Sequence, residues 1–395
     1  MEHSLVYIAL ALLAYCLVSA RLGAVGITMP MVCLALGLLI GSGSAVLDID
    51  SATTFHHLAE VTLALLLFAD ATSLRRGELA RISQRARRML LVGLPVTILI
   101  GAALNRLLLP GWPLWEVCLL AALLAPTDAA LGQSIRANPR IPQDFRDTLN
   151  AESGLNDGLA LPFVIFFAGV SVGDSDPGLG SGALVGLVAR EVGFGAAVGL
   201  LGGIAAGHLR NRALARGLMD KDLAQVAMLL LVGAIFFAAE ALHGNAFVAV
   251  FAAGLAFANS ADAETLRARH FLEGDGQFLA MLSFFFVGLL FLPTSLSHLS
   301  LAGVLVVALS LILVRPLGIW LSLIGTDTRP NERLFYGWFG PRGLATALFA
   351  VFVTMDFDGI ARIREIVAIA MTAVLISAFV HGITAQRADR LFRLG

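Results

Sequence analysis

Charge is what this chain lacks most. Only 14% of its 395 residues are charged, against about a quarter in an ordinary soluble domain. That shortage leaves no room for a sizeable soluble domain, and a net charge of −1 supplies no field to attract nucleic acid. Cysteine is also sparse. Cys16, Cys33 and Cys118 all fall inside apolar runs, which suits small packing residues and not a disulfide framework. No His-Glu-x-x-His spacing and no nucleophile–base set is present, which argues against a membrane enzyme, and nothing calls for a cofactor. The first apolar run, His3 to Ala20, has no basic segment ahead of it and reads as a retained helix instead of a cleaved leader. What is abundant is hydrophobic sequence, 58% of the chain, in long runs from end to end. The expected fold is an all-α polytopic membrane protein, residues 1–395 forming one membrane domain in contact with lipid.

Thirteen spans are expected, near 3–20, 26–43, 55–73, 89–108, 112–133, 149–171, 183–208, 222–242, 244–259, 273–292, 300–325, 334–355 and 363–386. Loops after odd-numbered spans carry Arg21; Arg75, Arg76, Arg81, Arg85, Arg87 and Arg88; Arg136, Arg140 and Arg146; Arg210, Arg212, Arg216 and Lys221; Arg267 and Arg269; Arg329 and Arg333. The tail adds Arg387, Arg390 and Arg393. Loops after even-numbered spans carry only Arg106, Arg362 and Arg364. Positive charge stays inside, so the N-terminus is expected outside and the C-terminus in the cytoplasm.

Two spans carry a proline beside an ionisable residue: Ala125-Pro126-Thr127-Asp128 in the fifth and Gly340-Pro341-Arg342-Gly343 in the twelfth. Proline removes a helix donor and frees a carbonyl, and in lipid both ends of the break need new partners. Spans four to six and eleven to thirteen match in order and run in opposite directions, an inverted-topology repeat with two interrupted helices. Such breaks at corresponding positions mark a transporter binding site. Asp128 is placed to neutralise a half-helix N-terminus, and Arg342 a C-terminus.

The sixth span carries Glu152-Ser153-Gly154-Leu155-Asn156-Asp157-Gly158. Asp157 lies about 10 Å along a helix that starts near Asn150, inside a hydrocarbon layer of about 30 Å. Intramembrane carboxylates line ion paths or pair with one another. Ser153 and Asp157, four apart, share one face; Glu152 and Asn156 share the next. The first face is assigned to an ion. The second is assigned to protein partners: Glu152 to Arg342, and Asn156 to the broken backbone near Thr127. Elsewhere plain structural roles are expected. Glu60, Glu116, Arg190 and Glu191 are read as interfacial or locally paired, and Glu240 with His243 as an outer cap. Arg315 beside Pro316 is read as snorkelling or bonded to a carbonyl. His56, His57 and His381 are read as interfacial, and the Arg75–Arg88 loop as topogenic and lipid-contacting.

Together, Pro126-Thr127-Asp128, Glu152-Ser153 with Asn156-Asp157, and Gly340-Pro341-Arg342-Gly343 resemble the sodium/proton antiporters of the NhaP and NHE-like branch of the monovalent cation:proton antiporters. Ala239-Glu240-Ala241-Leu242-His243 with Gly254-Leu255, and Phe286-Val287-Gly288-Leu289, are similar to further landmarks of that family. The resemblance covers nearly the whole chain. It implies a thirteen-helix homodimer in a bacterial or archaeal inner membrane, serving pH homeostasis. A transport core is expected near 89–171 and 300–386, and a dimerisation scaffold near 3–73 and 183–292. It implies exchange of one Na+ or Li+ for one H+ by alternating access, these ions being cargo and no cofactor being needed. The family's cation site corresponds to Asp157, Ser153 and the carbonyl of Thr127, with Asp128 beside it. The Asn156-Asp157 pair goes with electroneutral exchange, and Glu152 with Arg342 forms the family's stabilising pair. Asp70 stands where many relatives carry a glutamate, and its shorter side chain implies contact through a water. Ala129 replaces a proline common in relatives. The short tail, Arg387 to Gly395, implies no attached regulatory domain. A K+/H+ antiporter of the same fold, and a cation channel or sensor that keeps the fold, remain alternatives.

Overall fold

A backbone in lipid must satisfy its own hydrogen bonds, so long apolar runs become helices. The computed structural model bears this out. It describes residues 2–43, 50–72, 83–128, 131–132, 135, 138–174, 181–220, 223–260 and 277–392. All regular structure there is helical. Arg75, Arg76, Arg81, Ala129, Arg136, Lys221, Arg267, Arg269 and Arg393 lie outside the described residues.

The helices are α1 (Glu2–Ala24), α2 (Met29–Gly43), α3 (Asp50–Thr72), α4 (Gln84–Leu108), α5 (Leu114–Leu123), α6 (Gln143–Asp174), α7 (Ser181–Ala215), α8 (Leu223–Ala241) and α9 (Ala246–Ser260). Then follow α10 (Gln277–His298), α11 (Leu301–Ser322), α12 (Pro330–Trp338), α13 (Leu344–Asp356), α14 (Ile363–Ala385) and a short α15 (Ala388–Phe392). Each expected span contains helix among the described residues, and the two proline-bearing spans lose their helix where their sequences foretell. Helix α5 stops at Leu123, and the twelfth span divides into α12 and α13 around residues 339–343.

The repeat extends beyond the breaks. Helices α4 and α11 each contain one wide π turn, Met89–Gly93 and Ser310–Val314, followed at once by Leu94-Pro95 and Arg315-Pro316. Proline lacks a donor and its ring crowds the carbonyl four residues earlier, and a π turn relieves both problems. Helix α10 shows the same device at Val287–Phe291 before Pro293.

Small residues let helices approach closely where apolar burial gives no preference over lipid. Gly199 and Gly203 of α7 lie on α9, and Gly195 on Asn245 just before it; a β-carbon at Gly199 would stand 2.1 Å from the Ala249 carbonyl oxygen. Gly37 and Gly41 of α2 lie equally close to α10. Large apolar side chains such as Leu39, Leu99, Leu201 and Leu230 remain exposed, as suits a surface turned to lipid. At the ends of α6, α12 and α14, Phe145 stacks on Tyr336 with centroids 5.3 Å apart, and Phe392 of α15 packs against Phe335 and Phe339.

Candidate functional site

The two breaks meet. The backbone N–H of Asp128 donates to the Pro341 carbonyl at 2.8 Å. The Asp128 carboxylate accepts from the N–H groups of Leu131 and of Leu344, the first residue of α13. Asp128 therefore caps the partially positive end of a half-helix from the opposite repeat, as expected for dipole compensation. Gly343 makes this approach possible: a β-carbon there would sit 1.9 Å from Asp128 Oδ2. Arg342, fully buried, turns back on the break, with Nη1 donating to the Gly340 carbonyl at 2.8 Å and Nη2 near the Ser310 carbonyl and hydroxyl at 3.4 Å. Its backbone N–H donates to Ser377 Oγ at 2.7 Å, tying the break to α14.

Glu152 does not pair with Arg342. Its carboxylate receives two bonds from Arg315, Nη1 to Oε1 at 3.2 Å and Nη2 to Oε2 at 3.1 Å, with both side chains at least 98% buried. The expectation that Arg315 snorkels or bonds a carbonyl is corrected with it. A signal was present: Arg315-Pro316 is the same proline-beside-charge pattern that marks the breaks. The π turn ahead of Pro316 lies in the middle of α11, so a charge beside it sits in the protein interior.

Asn156 Nδ2 donates to Glu152 Oε1 at 3.0 Å and reaches the Thr127 hydroxyl at 3.3 Å, a side-chain contact in place of the expected backbone one. The Thr127 hydroxyl lies 3.2 Å from Glu152 Oε2 and 3.3 Å from Ser153 Oγ, with one proton to share between them. Glu152 thus has a donor for each of its roughly four lone-pair directions.

Asp157 differs. Its Oδ1 is buried and has no hydrogen-bond partner among the described residues, and the same is true of Asn156 Oδ1. Asp70, Asp128 and Glu152 are close enough to act on Asp157 electrostatically. Asp70 reaches this neighbourhood from α3, outside the repeat. Directly after Asp157 on α6, Gly158 lies under the Phe251 ring of α9, which leaves 2.1 Å for a β-carbon there. A cavity of about 20 Å³ opens beside Ser153, walled by Leu131, Asn150, Pro341 and His381.

His381 corrects another expectation. It is 2% exposed, not interfacial. Glu116 is also buried, and its two carboxylate oxygens accept from the N–H groups of Ala361 and Arg362 at 2.9 and 3.0 Å, capping α14. His57 is exposed and contacts Glu60 at 3.1 Å, as an interfacial residue does.

Residues 8–388 match the family described as sodium/hydrogen exchanger, transmembrane. The K(+)/H(+) antiporter NhaP2 of Shewanella sp. (strain MR-4) is 27% identical over 387 residues, which cover 95% of this chain and 64% of that one. The chain thus spans somewhat less than two thirds of that relative's length. A probable Na(+)/H(+) antiporter of Schizosaccharomyces pombe is 28% identical over 315 residues, 75% of this chain and 40% of its own. The structure of the sodium proton antiporter MjNhaP1 from Methanocaldococcus jannaschii at pH 8 superposes with a TM-score of 0.77 at 23% identity, covering 99% of this chain and 98% of that one. At that identity the likeness establishes the fold.

Proposed function

Because the chain belongs to the sodium/hydrogen exchanger family, we propose that it is a secondary antiporter that exchanges a monovalent cation for a proton at Asp157. One contrast carries the reading. Asp128 is occupied by backbone donors and Glu152 by Arg315, Thr127 and Asn156, whereas Asp157 keeps an interior oxygen with no partner among the described residues.

A hard monovalent cation takes oxygen ligands. Asp157, the Ser153 hydroxyl, the Thr127 carbonyl and water make such a set, with Asp70 acting through a water from α3. Cation and proton compete for the same carboxylate. A bare carboxylate in a low-dielectric interior is costly, so the loaded carrier crosses and the empty one does not. The moving core is assigned to residues 89–171 and 300–386. The scaffold, and the surface for a second copy of the chain, are assigned to 3–73 and 183–292. The basic loops put the C-terminus in the cytoplasm. One-for-one, electroneutral exchange rests on the resemblance of the Asn156-Asp157 pair to the electroneutral branch.

Na+ or Li+ is the cargo in the first reading. K+ is the second, favoured by the name of the Shewanella relative. Proton flux in inside-out vesicles, with Na+, Li+ and K+ added in turn across a pH series, separates the two. Asp157→Asn should abolish the flux while the protein folds normally; normal flux from that variant sinks the proposal. Current under voltage without obligatory proton movement would instead mark a channel.

A further inference from the structure

A larger cavity lies at the end of the molecule opposite the basic loops, where α10 and α13 end and α14 begins. Its volume is about 470 Å³, within the range of about 300–1,000 Å³ usual for small-molecule sites. One face of α10 forms a wall: Leu290, Thr294 and His298 stand four apart, with Phe291 and Ser295 beside them. Arg364 and Val367 of α14 contribute another part. The wall is graded along the helix axis. Leu290 lies about 12 Å deeper than His298 at about 1.5 Å per residue. Leu290, Phe291 and Val367 make the deep part apolar, whereas Thr294, Ser295, His298 and Arg364 make the mouth polar.

The mouth holds a cation without a counter-ion. Arg364 is exposed and makes no hydrogen bond or ion pair among the described residues; Glu365, the next residue, is engaged by Arg362 at 3.0 Å. No carboxylate shares the wall among the described residues, and Asp356 and Asp358 at the end of α13 stand outside it. The hydroxyls of Thr294 and Ser295 also have no partner among the described residues, although Ser295 is only 4% exposed. The His298 ring is held at the rim, with Nδ1 2.9 Å from the Thr294 carbonyl. A guanidinium fork with hydroxyl donors matches the oxygens of a phosphate. The apolar floor below them matches a hydrocarbon tail, and the mouth stands at the level where lipid headgroups lie.

We infer that this cavity binds an anionic phospholipid, with the phosphate at Arg364, Thr294 and Ser295 and the first part of a chain against Leu290, Phe291 and Val367. The lipid comes from the leaflet opposite the basic loops. It touches α10, assigned to the scaffold, and α14, assigned to the moving core, and so bridges the two. That consequence rests on the exchange reading; the binding itself does not.

Native mass spectrometry of the purified protein, titrated with dihexanoyl phosphatidylglycerol, reads the affinity of the tightest-bound lipid. Arg364→Gln should weaken it about tenfold, the loss of a charge-assisted phosphate contact. Val367→Phe leaves Arg364 in place but fills the apolar floor. It should weaken binding as well, and it keeps the test open if Arg364→Gln does not fold. Arg106→Gln removes a charge assigned to the same side of the membrane, away from the cavity, and should bind as the parent does. Inorganic phosphate, which has no tail, should not displace the lipid from the parent. Parent-like affinity in either folded cavity variant overturns the inference. So does equal weakening by Arg106→Gln, which marks general surface charge, and so does displacement by phosphate, which marks a soluble-anion site. If the parent shows no cation-dependent proton flux, the exchange reading fails, and the lipid affinities still decide the site.

Discussion

Glu152 and Arg315 face each other through two parallel hydrogen bonds, 3.2 and 3.1 Å long, and so join α6 to α11 across the two repeats. Removing one member of a buried pair leaves the other charge uncompensated, at about 3–5 kcal/mol. Arg315→Ala should therefore lower the melting temperature in detergent more than Arg342→Ala does, because among the described residues the Arg342 guanidinium bonds neutral oxygens of Gly340 and Ser310 and forms no ion pair within hydrogen-bond distance. The reverse order would show that Arg342 carries the larger electrostatic burden.

Asp128 caps α13, whereas Asp157 is the proposed ligand. Asp128→Asn keeps one acceptor oxygen but loses the charge at the helix end, worth roughly 1 kcal/mol. It should lower thermal stability modestly and retain saturable cation-dependent proton flux, unlike Asp157→Asn. Complete loss of flux from an Asp128→Asn protein with parental stability would make Asp128 a ligand as well.

Gly158 is the contact point between α6 and α9. An added methyl group would collide with the Phe251 ring, the nearest ring carbon being 2.1 Å away. Gly158→Ala should cut the exchange rate sharply, and pairing it with Phe251→Ala should recover most of the loss. No recovery in the double variant would place the defect within α6 itself.

Glu116 accepts from two backbone N–H groups at the start of α14. Glu116→Ala removes both acceptors and should destabilise the protein by about 1–3 kcal/mol. The KM for the cation should not move, since Glu116 lies at the far end of α5 from Thr127 and Asp128. A shifted KM at parental stability would place Glu116 on the ion path instead of in a cap.

The apolar runs, the two breaks and the repeat were legible along the chain because each is a local matter. Hydropathy over some twenty residues sets a span, and a proline breaks a helix wherever it lies in the interior. The spacing of Ser153 and Asp157 on one helical face was equally local. Partner choice was not. Arg315 and Arg342 both follow or precede a proline in an apolar stretch, and nothing in their neighbourhoods says which one meets Glu152. The breaks similarly say that Asp128 and Arg342 need partners, but not that Asp128 caps the opposite half-helix while Arg342 folds onto its own break. His381 read as an interfacial residue from its place near the end of a span, yet it is buried, with the Trp338 ring of α12 5.5 Å away.

Sequence alone thus determined that this is a helical membrane protein with two interrupted, oppositely directed helices and a carboxylate-bearing helix between them. Only the tertiary structure decided which carboxylates are saturated and which retains an interior oxygen. The physical reason is range: helix formation and helix breaking are settled within a few turns. The pairing of buried charges depends on residues 163 positions apart, as Glu152 and Arg315 are, and on the crossing of two breaks that brings them together.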